Sequence, residues 1–332
     1  MKIILHIGQY KTGSTSIQKY LLNARSELLK SKILYPESII DRGAHFAFSD
    51  KIKASLAKKP QHRFNKQQGK FTTLFDEIEE HQPDILLISS EALCANKMNY
   101  FDEDLILKVW EKIASIFKGH DIEVVYYYRR QDTAIDSRIT QLVKSQRNCH
   151  DLDYKLFICD SLDLNYQWFN DKLLSFFGKT IPIPFLESVF HGQNLIQDFC
   201  FHAGLPFLPE KMSNADQNTS PTAHTIAYLN EINAAHLPDE LKQGLRKLAW
   251  QNDDRSSSKR HNGESAKYLR VKQRESILNF YANSNLTFLN EINAPSSVKN
   301  YFSDYEKDMD YRNTDLRGAR FLELFARYKI GL

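Results

Sequence analysis

The chain carries, near its start, a short segment rich in groups that bind anions. It reads GQYKTGSTS over residues 8–16 and follows the apolar run of residues 3–7. Glycines let a backbone approach an anion closely, and the N–H groups of a following first helical turn point at it. Four serine and threonine hydroxyls add further donors. This segment, here called the anion loop, predicts a phosphate-binding turn between a buried strand and a helix.

The position of the lysine distinguishes the anion loop from that of nucleotide triphosphatases. Their loop reads G-x-x-x-x-G-K-[ST], with the lysine directly after the second glycine. Gly8 and Gly13 keep that spacing and Thr15 takes the last position, but Ser14 stands where the lysine belongs. The lysine is Lys11, inside the turn. The pattern therefore predicts phosphate binding, but not the usual arrangement in which Mg²⁺ bridges to the γ-phosphate of a nucleotide triphosphate.

A second pair of candidates for anion binding lies further along the chain. Arg129 follows the strand-like run of residues 122–128, and Ser137 comes eight residues later in a helical pattern. An arginine offers a forked donor and a hydroxyl adds one hydrogen bond, so the two can converge on one phosphate. In an alternative interpretation, the arginine pairs with a nearby carboxylate, Asp132 or Asp136.

Residues 6–18 (HIGQYKTGSTSIQ) resemble the 5′-phosphosulfate loop of sulfotransferases that use 3′-phosphoadenosine-5′-phosphosulfate (PAPS), especially bacterial and carbohydrate-type members. By that resemblance, Lys11 holds the bridging oxygen of the phosphosulfate. Arg129 and Ser137 match the pair that recognises the 3′-phosphate. The resemblance also implies that the rest of the loop binds the 5′-phosphate, namely Thr12, Gly13, Ser14, Thr15 and Ser16.

The same resemblance implies the reaction and its participants. PAPS is the expected cosubstrate and the bisphosphate PAP the product, with in-line transfer of the sulfuryl group to a hydroxyl or amine and no metal ion. The resemblance is strongest to carbohydrate-type members, so a saccharide or glycolipid is the expected acceptor.

The polar segment of residues 252–265 resembles the lid over the 3′-phosphate in heparan-sulfate-type sulfotransferases. Lys259 and Arg260 would then contact that phosphate. Judged by the residues alone, a solvated surface loop is an equal alternative.

Transfer to a hydroxyl needs a group that removes its proton. Our first candidate is Glu91, which follows the apolar run of residues 85–88. This run is the predicted strand that comes immediately before the one carrying Arg129. His45 is the second, and Glu37 is a third. Glu91 as a carboxylate at a helix start, and His45 as a buried packing residue, are the structural alternatives.

The remaining sequence indicates where these residues are placed. Short apolar runs at residues 3–7, 33–36, 85–88, 122–128 and 181–186 alternate with helical patterns, including one over residues 14–30. Such alternation predicts an α/β fold, a P-loop-type parallel sheet flanked by helices. Beyond residue 205 helical patterns dominate. We expect a core at residues 1–205 and a mainly helical extension at 206–332, both within one domain.

Composition excludes several other classes of protein. The 332 residues carry a formal net charge of +3, which argues against a general nucleic-acid binder. The four cysteines show no paired spacing, and no apolar stretch is long enough to cross a membrane. The spacing of the cysteines indicates reduced thiols. The first predicted strand follows Met1 directly, without the pattern of a signal peptide, so we expect a cytoplasmic protein. The sequence indicates no oligomeric state.

Two other functions use the same pattern. A P-loop kinase or NTPase would need a lysine at position 14 and an acidic Mg²⁺ ligand after an inner strand. A non-enzymatic module that binds glycans or partners would be expected to have lost Lys11.

Overall fold

A computed structural model describes residues 1–9, 11–56, 70–94, 102–149, 162–212, 221, 223–251, 253 and 269–303. The chain forms two compact units. The first comprises Met1–Arg130, Phe157–Gln217 and Phe280–Ser303, and the second comprises Gln131–Leu156, Asn218–Asn279 and Asp304–Leu332. The units alternate along the chain. The division near residue 205 that the sequence suggests stays a prediction.

The first unit contains a five-stranded sheet in which every pair of neighbouring strands is parallel. This confirms the predicted α/β class, a parallel sheet flanked by helices. The strand order is β2-β3-β1-β4-β5, so β1 lies at the centre. The strands are β1 (Lys2–His6), β2 (Ile33–Leu34), β3 (Ile85–Ser89), β4 (Asp121–Tyr128) and β5 (Thr180–Pro184).

Helices follow most of the strands and dominate the later part of the chain, as predicted. The predicted helix over residues 14–30 is confirmed with both ends in place. In chain order the helices are α1 (Ser14–Lys30), α2 (Phe46–Leu56), α3 (Lys70–His81), α4 (Glu103–Ile116), α5 (Gln131–Lys144), α6 (Tyr166–Phe177), α7 (Leu195–Ala203), α8 (Ala223–Ala234), α9 (Asp239–Gln251), α10 (Val271–Glu291) and α11 (Ser296–Ser303). Within the described ranges, no helix combines the length and apolar character needed to span a bilayer.

Both faces of the sheet are buried, which explains why its strands are almost continuously apolar. Successive side chains of a strand point to opposite faces. Ile3 and Leu5 therefore pack in one cluster with Trp110 of α4, whereas Ile4 packs in the other with Tyr20 of α1. Helices α1 and α7 cover the second face. Helix α1 is thus held by its apolar side against the centre of the sheet.

Three consecutive tyrosines of β4 differ in how their buried hydroxyls are bonded. The Tyr127 hydroxyl donates to Asp198 Oδ2 at 2.7 Å, and the Tyr126 hydroxyl donates to Asn170 Oδ1 at 3.1 Å. The Tyr128 hydroxyl is buried and has no hydrogen-bond partner among the described residues. Buried hydroxyls stabilise a fold only when they are paired, so these positions differ in what their oxygen contributes.

Replacing Tyr127 and Tyr128 by phenylalanine should therefore have opposite consequences. We expect Tyr127→Phe to lower the free energy of unfolding by about 1–2 kcal/mol, because Asp198 loses a buried donor. Tyr128→Phe should leave the free energy of unfolding unchanged or raise it. Urea unfolding at pH 7 followed by circular dichroism measures both. Equal losses in the two variants would contradict the assignment.

Candidate active site

The ends of three neighbouring strands bring the predicted site residues to one edge of the sheet. His6 at the end of β1 is in register with Ser89 on β3 and with Val125 on β4. The anion loop follows β1, Glu91 follows β3 and Arg129 follows β4. Ligands of open parallel sheets bind outside these carboxyl ends. All three features belong to the first unit.

The anion loop turns through two residues with left-handed backbone conformations. Lys11 has φ 73° and Gly13 has φ 76°. Glycine takes this conformation without strain, whereas lysine does so at a cost, and such outliers cluster at functional sites. A Cβ on Gly13 would clash with Leu195 Cδ2, so a larger residue fits there only if the Leu195 side chain moves. The Thr12 hydroxyl, which donates to the Gln9 carbonyl at 2.7 Å, fastens the turn internally.

Two further contacts tie the start of the loop to its surroundings. The Gln9 side-chain amide donates to the Asp163 carbonyl at 2.5 Å, and the Cys94 thiol donates to the Gly8 carbonyl at 3.2 Å. Gln9 and Cys94 are both buried. Helix α1 then begins at Ser14, and the N–H groups of its first turn have no carbonyl four residues earlier within the helix to accept them. The contacts of Gln9 and Cys94 fix the position of the loop before this helix start.

Arg129 lies directly beside this loop. Its Nη1 donates to the Lys11 carbonyl at 3.2 Å, and its guanidinium carbon lies 5.5 Å from the ring centre of Phe185. The Tyr166 hydroxyl donates to the Arg129 carbonyl and fixes the backbone at this point. Arg129 and Lys11 therefore place two cationic residues at the same turn.

The neighbouring arginine has a different role. Arg130 is buried, donates to the Tyr301 carbonyl at 2.9 Å, and has its guanidinium 4.4 Å from the Tyr301 ring centre. It fastens α11 to the end of β4. Ser137 lies in α5 of the second unit, and its partnership with Arg129 stays a prediction.

Glu91 contacts the first turns of α1. Ser14 Oγ donates to Glu91 Oε1, and Gln18 Nε2 donates to Glu91 Oε2 at 2.8 Å. All three side chains are buried, and Glu91 is 7% exposed. Ser14 and Gln18 are four residues apart, so they lie on the same face of α1. A carboxylate is stabilised at this end of a helix by the helix dipole.

His45 is held by the backbone on both sides of its ring. The Ser89 N–H donates to Nδ1 at 3.0 Å, and Nε2 lies 3.0 Å from the Pro36 carbonyl, to which it must donate. Both nitrogens of the neutral ring are therefore used. Burial lowers the pKa of His45 to about 3. Glu37 is exposed and forms a 2.5 Å ion pair with Arg25.

His6 lies beneath the anion loop. Its Nδ1 is 2.8 Å from Ser89 Oγ, while Nε2 is buried and has no hydrogen-bond partner within the described part of the chain. A Cβ on Gly8 would lie 3.3 Å from Nε2 and 3.1 Å from Ser14 Cβ, which places this nitrogen next to the start of α1. Burial lowers the pKa of His6 to about 3.

The remaining predicted site residues fall into two groups. Thr15 is exposed at the start of α1, and Ser16 N–H donates to the Gly13 carbonyl at 3.0 Å. Lys259 and Arg260 lie outside the described residues, as does the segment of residues 252–265 apart from Asp253. Where the structure is described, no three His, Cys, Asp or Glu side chains are grouped to hold a metal ion.

Sequence reasoning missed Gln18 and Gln9. Gln18 binds the same carboxylate as Ser14, and Gln9 anchors the loop. The spacing of four between Ser14 and Gln18 is a signal that both face one partner. No signal in the sequence points to Asp163, which is 154 residues from Gln9.

The sequence matches no protein-family model and no curated protein. Among solved structures, a sulfotransferase from Alicyclobacillus acidocaldarius is similar to this chain, with 12% sequence identity and a TM-score of 0.49. The similarity covers 89% of this chain and 97% of that protein.

Replacing Gly13 and Gly43 by alanine should separate backbone strain from steric exclusion. Both have positive φ, but a Cβ on Gly43 meets no atom within 4 Å. We expect Gly43→Ala to cost about 1 kcal/mol, since only the backbone is strained. Gly13→Ala must also displace Leu195 and should cost about 2 kcal/mol more, the usual size of an overpacking effect. Urea unfolding of both variants tests this, and similar losses would contradict the close packing at Gly13.

Acidification should destabilise the fold well above the range in which carboxylates titrate. The unfolded chain protonates His6 and His45 near pH 6.5, whereas the folded chain keeps both neutral to about pH 3. The free energy of unfolding should therefore fall below pH 6.5, approaching about 1.4 kcal/mol per pH unit for each histidine. Urea unfolding between pH 7 and pH 4.5 measures the slope.

Two variants identify the source of that slope. His45→Gln should be less stable at pH 7 but show a shallower dependence on pH. His120→Gln, which changes an exposed histidine, should keep the original slope. An unchanged slope in His45→Gln would contradict the neutral, buried state of His45.

Proposed function

We propose that this chain is a sulfotransferase that moves a sulfuryl group from PAPS to a hydroxyl or amine of an acceptor. The observation that supports it best is the convergence at one sheet edge of three features. These are a hydroxyl-rich loop with its lysine inside the turn, an arginine bonded to that turn, and a buried carboxylate at the start of α1. Transfer between oxygen atoms needs an anion site, a cation beside it and a base.

The residues present fit the two charged ends of PAPS. The loop backbone and its hydroxyls suit the 5′-phosphosulfate, and the forked guanidinium of Arg129 suits the 3′-phosphate, with Ser137, Lys259 and Arg260 as further proposed contacts. The buried Nε2 of His6, which has no partner in the described ranges, adds a polar atom next to the loop. PAPS when bound supplies an activated sulfuryl group on a phosphate leaving group.

The residues of the site then have separate roles in the reaction. Lys11 and the first N–H groups of α1 place positive charge beside the phosphate oxygens, where negative charge accumulates. Glu91 accepts the proton of the acceptor hydroxyl at a carboxylate oxygen and passes it to solvent. The fixed loop holds its donors in position, so little reorganisation is needed.

Glu91 is proposed as the base in preference to His45. A base needs an atom that can accept a proton from the substrate, and both nitrogens of His45 are bonded to the backbone. If His45 acted as the base, its ring would lose a hydrogen bond through which it links the end of β3 to residue 36. The Glu91 carboxylate is bonded by the side chains of Ser14 and Gln18, so an oxygen can change partners by rotation of a side chain without breaking a backbone contact.

The acceptor is proposed to be a saccharide or glycolipid, with the reaction in the cytoplasm and no metal ion. The resemblance of the anion loop to carbohydrate-type sulfotransferases supports the acceptor class and the absence of a metal ion, and the unpaired spacing of the cysteines supports the compartment. A kinase is less well supported, because the side chain at position 14 is a serine bonded to Glu91 and not a lysine.

Titration calorimetry of the purified chain without magnesium tests the cosubstrate. We expect PAP to bind at micromolar concentration, and ATP and 5′-AMP to bind much more weakly because they lack a 3′-phosphate. Arg129→Ala should weaken PAP by roughly 10- to 100-fold, the value of a hydrogen bond to a charged group, and Lys11→Ala by a similar factor.

Lys30→Ala is the matched control for Lys11→Ala. Lys30 lies at the other end of α1, about 24 Å from Ser14 at 1.5 Å per residue, and should leave PAP binding unchanged. Magnesium-dependent binding of ATP without binding of PAP would refute the sulfotransferase and favour a kinase.

A further inference from the structure

The hydroxyl of Ser14 is shared between two parts of the site. A hydroxyl can donate one hydrogen bond, and in the structure Ser14 Oγ donates it to Glu91 Oε1. Ser14 is also the first residue of α1, directly behind the turn of the anion loop. An anion in the loop can use this hydroxyl only if the proton turns away from Glu91. Two negatively charged acceptors therefore compete for one donor.

The competition matters because all the groups are buried. Ser14, Gln18 and Glu91 are 4%, 5% and 7% exposed, so little water is available to replace a lost partner. Hydrogen bonds to charged groups in such surroundings are stronger than at the surface. The carboxylate also occupies the helix end whose dipole attracts an anion. Glu91 should therefore weaken anion binding by the loop.

Gln18 holds the other carboxylate oxygen. Its amide donates to Oε2 at 2.8 Å from one turn further along α1, away from the loop. This contact does not depend on the Ser14 proton. Gln18 can therefore keep Glu91 in place while Oε1 changes partners.

We propose that Ser14 is a switch which links occupation of the anion loop to release of the base, and that Gln18 is the positioning residue of that base. This rests on the proposed sulfotransferase function. When the Ser14 hydroxyl donates its hydrogen bond to a bound phosphate, Oε1 of Glu91 is released to accept the hydrogen bond of an acceptor hydroxyl. The base thus becomes available only at a site that already holds the donor nucleotide.

The test is PAP affinity by calorimetry beside turnover with PAPS, in the full chain. Glu91→Gln should bind PAP roughly 3- to 10-fold tighter than the wild type, since a neutral amide competes less for the Ser14 proton. Its turnover should fall by about 100-fold or more, as for loss of a general base. A merely structural role would weaken both.

Ser14→Ala identifies the hydroxyl as the link. In the Ser14→Ala background, the gain in PAP affinity from Glu91→Gln should shrink, because no proton remains to be shared. Additive effects of the two substitutions would overturn the switch. Gln18→Leu should leave PAP affinity within about 2-fold of the wild type and lower turnover by roughly 10-fold, the pattern of a lost interaction with the base alone.

The outcomes separate this inference from the function on which it rests. PAP binding by the wild type with equal or weaker binding by Glu91→Gln overturns the switch and leaves the sulfotransferase intact. Absence of PAP binding in the wild type overturns both. Should Glu91→Gln not fold, as judged by circular dichroism, Glu91→Asp retains the charge but draws it back from Ser14. It should also bind PAP tighter than the wild type, and weaker binding would overturn the switch.

Discussion

The left-handed turn at Gly13 is the constraint on which the site depends. A side chain here would add backbone strain and would have to displace Leu195 beside Phe185, so glycine suits this position best. The turn sets where α1 starts relative to the end of β1. It thereby directs the face with Ser14 and Gln18 towards Glu91, and it presents the Lys11 carbonyl to Arg129. The parallel pairing of β1 with β3 and β4 brings the three strand ends together, and the turn directs the loop and α1 between them.

The two titratable residues around the end of β3 illustrate how burial divides structural from chemical roles. His45 bonds the Ser89 N–H and the Pro36 carbonyl, and its ring packs at a tilt against that of Tyr35 with ring centres 4.2 Å apart. Its polar atoms are fully used for the fold. In the part of the chain that the structure describes, the Glu91 carboxylate is bonded by two side chains of α1, which can rotate without disturbing the sheet. A group that must change partners during a reaction is better held by side chains than by the backbone.

Local patterns in the sequence were sufficient for the anion loop, for α1 and for the parallel α/β class, because each depends on neighbouring residues. The contact between Ser14 and Glu91 spans 77 positions and depends on β1 lying beside β3. Nothing local encodes that order, so the choice between Glu91 and His45 stayed open. The bonds that occupy His45 also depend on tertiary structure. The assignment of α5 to a second unit directly after β4 was equally invisible, since its helical pattern continues the alternation.

The displaced lysine of the anion loop has a physical reason in this arrangement. A lysine at position 14 would lie against the Glu91 carboxylate, and buried opposite charges pair with each other before they serve a ligand. The cation would be neutralised, and Glu91 would no longer be available as the proposed base. With serine at position 14, the carboxylate keeps a neutral partner, and the positive charges are those of Lys11 within the loop and of Arg129, which follows β4 and bonds the Lys11 carbonyl. Glu91 stays on the β3 side. Arg129 and Glu91 thus follow strands on opposite sides of the central strand, which keeps this cation apart from the carboxylate that we propose as the base.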